Sequence, residues 1–170
     1  MFISFEGIEG SGKSTLLENL KKYYLKKNSI RFSKHLERKA LNWSIEIGGL
    51  SKLIQFSENN LSLVNDWIEN SNNFEFLAQD PDTRSCTSIC IVPKDEWFKS
   101  LDQETKKKFM AEVCGELESN EAGFDLNSYK TAPPGIRIWG GSTVENKNVE
   151  LVLPWIDWAY QSIKERHQGA

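Results

Sequence analysis

At 170 residues and 19.5 kDa, with 39% hydrophobic and 26% charged side chains, the chain is sized for one packed domain plus a short extra element, and two complete enzymes do not fit. A net charge of -3 and a pI near 5.5 give no basic footprint for nucleic acid or an anionic membrane, which leaves small molecules as the expected partners. Met1 to Phe5 leads straight into a glycine loop with no signal-type segment, and no apolar run reaches membrane-spanning length, so the expected location is cytoplasmic.

The apolar run Met1 to Phe5 predicts a short buried strand. It enters Gly7-Ile8-Glu9-Gly10-Ser11-Gly12-Lys13-Ser14, which fits the GxxxxGK[ST] phosphate loop, and Leu16, Leu17, Leu20, Tyr23 and Tyr24 then recur at helical spacing. Strand, loop and helix are the context the chemistry requires. Gly7, Gly10 and Gly12 let backbone N–H groups turn inward around Ser11, and the helix adds its positive amino end to the cradle. Lys13 is placed to reach the β and γ phosphates, Ser14 to offer its hydroxyl to magnesium, and Thr15 to bond nearby phosphate oxygens, which makes ATP with magnesium the expected ligand.

A charged stretch, Lys34 to Lys39, separates this element from a helical pattern at Ala40, Leu41, Trp43, Ile45 and Ile47, which Gly48-Gly49 ends. A second helix is predicted from Leu50 to the polar cluster Asn70 to Asn73. Strands are predicted over Phe74 to Ala78 and Thr87 to Val92, split by the turn signal Asp80-Pro81-Asp82-Thr83, and a third over Ile136 to Trp139 after Pro133-Pro134-Gly135. Helices are predicted at Asp95 to Leu101 and Glu104 to Leu117. A last helix should carry Pro154 in its first turn and bury Leu153, Trp155, Ile156, Trp158, Ala159 and Ile163. Trp139 is expected in the core as well, and His167 at a frayed end. The three cysteines lack metal or redox spacing; Cys86 and Cys90 should share one strand face as reduced, half-buried thiols.

The opening, Phe5-Glu6-Gly7-Ile8-Glu9-Gly10-Ser11-Gly12-Lys13-Ser14-Thr15, resembles thymidylate kinase through about Ser33. Beyond that point the likeness stops. Lys34-His35-Leu36-Glu37-Arg38 stands where that family has its Arg-Glu-Pro-Gly-Gly-Thr segment, and neither an Asp-Arg-Tyr or Asp-Arg-His segment nor an arginine-rich lid follows.

From about Ala40 the chain resembles the carboxyl-terminal part of phosphoserine aminotransferase. The resemblance rests on Ala40-Leu41-Asn42-Trp43, Ile47-Gly48-Gly49-Leu50, Phe76-Leu77-Ala78, Asp80-Pro81, Arg84-Ser85-Cys86-Thr87-Ser88, Ala132-Pro133-Pro134-Gly135-Ile136-Arg137-Ile138-Trp139, Gly141-Ser142-Thr143-Val144-Glu145 and Pro154-Trp155-Ile156-Asp157-Trp158-Ala159, with Tyr129 between. It implies an α/β fold: the two-layer small domain of a fold type I, pyridoxal-phosphate-dependent aminotransferase over residues 36–170, preceded by a strand–loop–helix phosphate-loop element over 1–35. It further implies that Arg137 grips the substrate carboxylate through its guanidinium fork, that Arg84 is a second anion contact, and that the family's dimer offers a homodimeric assembly.

Transamination needs a lysine bonded to the cofactor, an acid for the pyridine nitrogen and a phosphate cup, all on that family's large domain. No lysine between Met1 and Ala170 stands in the strand-end context required, so no catalytic residue is expected here. The sequence therefore predicts an aminotransferase-like fragment that is inactive alone, against two alternatives: an ATP-binding nucleoside-monophosphate kinase-like protein, and a non-catalytic fusion.

Overall fold

The computed structural model describes residues 34–169. The expected strand, phosphate loop and helix, with Gly7, Gly10, Ser11, Gly12, Lys13, Ser14 and Thr15, lie outside the described residues.

The first described helix, α1, is Lys34–Glu46. It takes in the charged stretch read as a break, because lysine, glutamate, arginine and leucine are all good helix formers and charge alone does not stop a helix. Leu41, Trp43 and Ile45 on it are exposed. The helix ends as expected: the Ile47 amide donates to Trp43 O at 3.0 Å, and Gly48 (φ 116) and Gly49 (φ 71) take left-handed conformations that glycine adopts without a Cβ clash. The polypeptide divides here, and the unit from Gly48 onward is built as follows.

α2 (Gly49–Asn70) leads into β1 (Phe74–Phe76), a 3-10 turn at Pro81–Thr83, β2 (Ser88–Pro93), α3 (Glu96–Ser100), α4 (Gln103–Ser119), β3 (Ile136–Trp139) and α5 (Asn146–Gln168). The three strands form one antiparallel sheet with β2 in the middle. Period-two alternation sorts its side chains: Phe74, Phe76, Ile89, Ile91, Ile136 and Ile138 are buried against the helices, while Glu75, Ser88, Cys90, Val92, Arg137 and Trp139 face the other way. The result is a mixed α/β unit of two layers, a sheet with helices packed on one face.

Helix starts follow local chemistry. Asp95 Oδ1 accepts from the Phe98 amide and Asp102 Oδ1 from those of Glu104 and Thr105, satisfying donors that a bare helix end would leave free. The helical layer closes on Tyr160, fully buried in α5, whose ring lies edge-on to Phe74 at 5.0 Å and to Phe109 at 5.3 Å. Each such buried aromatic or branched side chain contributes about 1.5–3 kcal/mol.

Three expectations about α5 and its neighbours need correction. Pro154 lies inside the helix, which begins just after Glu145. Burial of Val149, Leu153, Ile156, Ala159 and Ile163 on one face outweighs the roughly 3 kcal/mol that an interior proline costs. Trp139, Trp155 and Trp158 are not core residues but 50%, 42% and 43% exposed, because the helical and strand periods turn them away from the packed face. His167 is not frayed: its Nε2 lies 2.8 Å from Glu112 Oε2 and its ring meets Phe109 edge-on at 5.3 Å.

Glycine substitutions separate space from strain. Gly115 sits in α4 with nothing near an added Cβ, whereas a Cβ at Gly135 would overlap the carbonyl oxygen of Ile91 and press on Val92. Gly115→Ala should therefore raise unfolding stability by about 0.5–1 kcal/mol and Gly135→Ala should lower it, both measured by urea denaturation.

Candidate functional site

The outer face of the sheet carries the one arginine that the strands present. In the β2–β3 register Cys90 opposes Arg137 and Ser88 opposes Trp139. The Arg137 amide donates to Leu126 O at 2.8 Å, and Asn127 bridges to Ile136, so the segment before β3 runs along its free edge. That segment builds the guanidinium's surroundings. Asp125 Oδ2 accepts from Arg137 Nη2 at 2.7 Å, the Asp125 carbonyl accepts from the same nitrogen at 3.3 Å, and the Tyr129 ring lies 5.1 Å from the guanidinium carbon. Only 12% of the Arg137 side chain is exposed, and its buried Nε has no hydrogen-bond partner among the described residues. Ser88 Oγ on the same face is likewise buried and unpartnered.

Tyr129 also lines a cleft of about 340 Å³, together with Lys107, Met110, Asn127, Lys130 and Pro134. Two lysines thus line the opening, and Tyr129, which also lines it, packs on the Arg137 guanidinium.

Arg84 is spent elsewhere. Its Nε donates to Ala78 O at 3.1 Å, its Nη1 to Asn65 Oδ1 at 3.2 Å and its Nη2 to Gln79 O at 3.2 Å, and the guanidinium lies 4.1 Å over the Phe76 ring. These bonds fasten the turn after β1 to α2, so the structure does not bring Arg84 to the outer-face pairing that holds Arg137. Cys86 precedes β2 and so does not share a strand face with Cys90, although both thiols are half-buried. Cys114 is buried in α4, where burial, with Glu118 nearby, pushes its thiol up to about 12. Among the described residues no group of three or more His, Cys, Asp and Glu could hold a metal ion, and no helix is long and apolar enough to cross a membrane.

The sequence singled out Arg137 as a candidate but gave nothing of its setting. Asp125 and the orphaned Ser88 Oγ carry no motif of their own; only the register of β3 with its two neighbours brings them to the arginine's face.

A second polar cluster ties the helices together. Tyr160 donates its hydroxyl to Asp95 Oδ2, and Lys164 Nζ lies 3.3 Å from Asp95 Oδ1 and over the Trp97 ring. Burial pushes the Asp95 carboxyl up, but the hydrogen bonds from Tyr160, the Phe98 amide and Lys164 outweigh it and hold it below the usual 3.8. The Tyr160 phenol is pushed up in turn, by burial and by its bond to Asp95.

A three-stranded antiparallel sheet with helices packed on one face and a nearly buried arginine on the other defines a small mixed α/β unit. Over 124 residues the chain is 37% identical to the phosphoserine aminotransferase of Methanosarcina mazei and 36% identical to that of Methanosarcina barkeri, each match taking in 73% of this chain and 31% of the relative. The chain is phosphoserine aminotransferase-like over that stretch, and the stretch covers about a third of the length of the curated relatives it matches. No family model matches it.

Because the folded-state carboxyl of Asp95 lies below its ordinary value, its contribution is fully present above 3.8 and is lost as pH falls through the lower, folded value. Asp95→Asn should cost about 1–3 kcal/mol of unfolding free energy near neutral pH, and the gap to the parent chain should narrow in urea titrations repeated at successively lower pH below 3.8.

Proposed function

We propose that residues 36–170 form the small domain of a pyridoxal-phosphate-dependent phosphoserine aminotransferase and that Arg137 grips the carboxylate of its amino-acid substrate. The whole reaction in this reading is the exchange of an amino group between phosphoserine and 2-oxoglutarate, or between glutamate and 3-phosphohydroxypyruvate. The observation that carries it is the Arg137 guanidinium: held on a strand, nearly nine-tenths covered, packed on Tyr129, and with its buried Nε–H unpaired among the described residues. A planar fork so fixed loses little freedom on binding a carboxylate, which is what orienting a small amino acid requires.

The described residues do not fit the cofactor itself. Lys164, the lysine best screened by an acid, already gives its ammonium to Asp95 and lies over the rings of Trp97 and Tyr160, so it is not a free amine. Lys107, Lys108 and Lys130 are exposed, and the ammonium of Lys108 is already paired with Glu104 at 3.0 Å. In this reading the domain binds and orients substrate, Tyr129 keeps water from one face of the guanidinium, and this chain alone performs no turnover. Arg84 has no part in the grip.

Residues 1–35 support a second, separate reading, because Gly7 to Ser14 satisfies GxxxxGK[ST]. We infer that this element takes a nucleotide phosphate with magnesium on Ser14, in the manner of a thymidylate kinase-like loop without its acceptor site.

Calorimetric titration of the 170-residue chain tests both readings. O-phospho-L-serine should bind, and Arg137→Ala should weaken it roughly tenfold to a hundredfold while Arg84→Ala leaves it within about twofold. ATP with magnesium should bind independently, and Lys13→Ala should remove that signal. Phosphoserine binding indifferent to Arg137, or steady transamination by the purified chain with pyridoxal phosphate added, would overturn the first reading; ATP binding indifferent to Lys13 would overturn the second.

A further inference from the structure

The guanidinium proposed as a carboxylate grip already holds a carboxylate. Asp125 reaches Arg137 Nη2 with its side-chain oxygen at 2.7 Å and its own carbonyl at 3.3 Å. The two partners are unequal: 83% of the Asp125 side chain is exposed against 12% for Arg137. An acid so open to water gains little net free energy from its ion pair, since solvent offers nearly as good a partner. The arginine, by contrast, cannot leave, because β3 and the Tyr129 ring hold it in place.

The backbone at Asp125 adds a second asymmetry. Its φ is 55, a left-handed conformation that an aspartate adopts at some cost, and the next residues are pinned to β3 through Leu126 O and Asn127. The chain accepts a strained turn immediately before the point where it delivers a carboxylate to Arg137. Meanwhile Nε remains buried with no partner among the described residues, so Asp125 satisfies only one corner of the fork.

We propose that Asp125 is a displaceable placeholder, a carboxylate that occupies Arg137 in the unliganded domain and swings into solvent when a substrate carboxylate takes both the Nη2 and the Nε corners. This rests on the reading of Arg137 as the carboxylate grip. Exchanging one carboxylate for another is nearly neutral, so a simple monocarboxylate gains little, while a ligand with a further anionic group to engage displaces Asp125 at a net gain. The apparent affinity is the intrinsic affinity reduced by the fraction of molecules in which Asp125 has let go.

The test is titration of the full chain with O-phospho-L-serine, following the Arg137 Nε–H resonance by NMR, with O-phosphoethanolamine as the probe that keeps the phosphate and amine but lacks the carboxylate. Asp125→Asn and Asp125→Gly, both residue types that accept positive φ, should bind phosphoserine about threefold to tenfold more tightly than the parent and shift the Nε–H signal at lower ligand concentration. Phosphoethanolamine affinity should not change. If both variants bind phosphoserine no more tightly while Arg137→Lys still weakens it, the placeholder is wrong and the carboxylate grip stands. If Arg137→Lys also leaves binding unchanged, the grip itself fails and the placeholder with it.

Discussion

The pairing of Cys90 with Arg137 across β2 and β3 is the constraint on which the rest depends. A strand has two faces and a period of two, so one register buries Ile136 and Ile138 and turns Arg137 outward, whereas a slip of one residue would exchange them. The slip would bury a guanidinium among Ile89, Ile91 and Phe74 without a partner, a cost far above what the sheet gains from any single contact. Core and site are thus decided by the same hydrogen-bond ladder.

What keeps that ladder in register lies outside the sheet. Asn60, fully buried in α2, donates to Gly140 O and Val144 O at 3.1 Å each and accepts from Asn146 Nδ2 at 2.6 Å. One side chain thereby satisfies the turn that leaves β3 and the first residue of α5. Asp157 performs a similar office at the other end of the helix pair, accepting from Trp67 Nε1 and Asn73 Nδ2. Such fully partnered polar contacts specify an arrangement more sharply than apolar packing, because each alternative leaves a buried group unmatched.

Arg137 is nearly buried, packed on Tyr129 and keeps a buried Nε without a partner among the described residues, whereas Arg84, chemically the same, gives its donors to the Ala78 and Gln79 carbonyls and to Asn65. The difference is one of position: the chain folds back through the 3-10 turn so that the Ala78 and Gln79 carbonyls meet Arg84, while Arg137 stands on the outer face of β3 and its guanidinium, among the described residues, bonds Asp125 alone. The grip proposed for Arg137 concerns binding rather than bond-making.

The sequence by itself determined the strands at Phe74, Ile89 and Ile136, the glycine break at Gly48-Gly49, the helices, and Arg137 as a residue to watch, because turn residues and periodicity are local properties. Only the tertiary structure decided that Pro154 stays inside a helix, that Trp155 and Trp158 face outward, that His167 is held by Glu112, and that Asp125 meets Arg137. Those outcomes depend on which faces are covered and which distant backbone groups need partners, quantities summed over residues far apart in the chain that no short window contains.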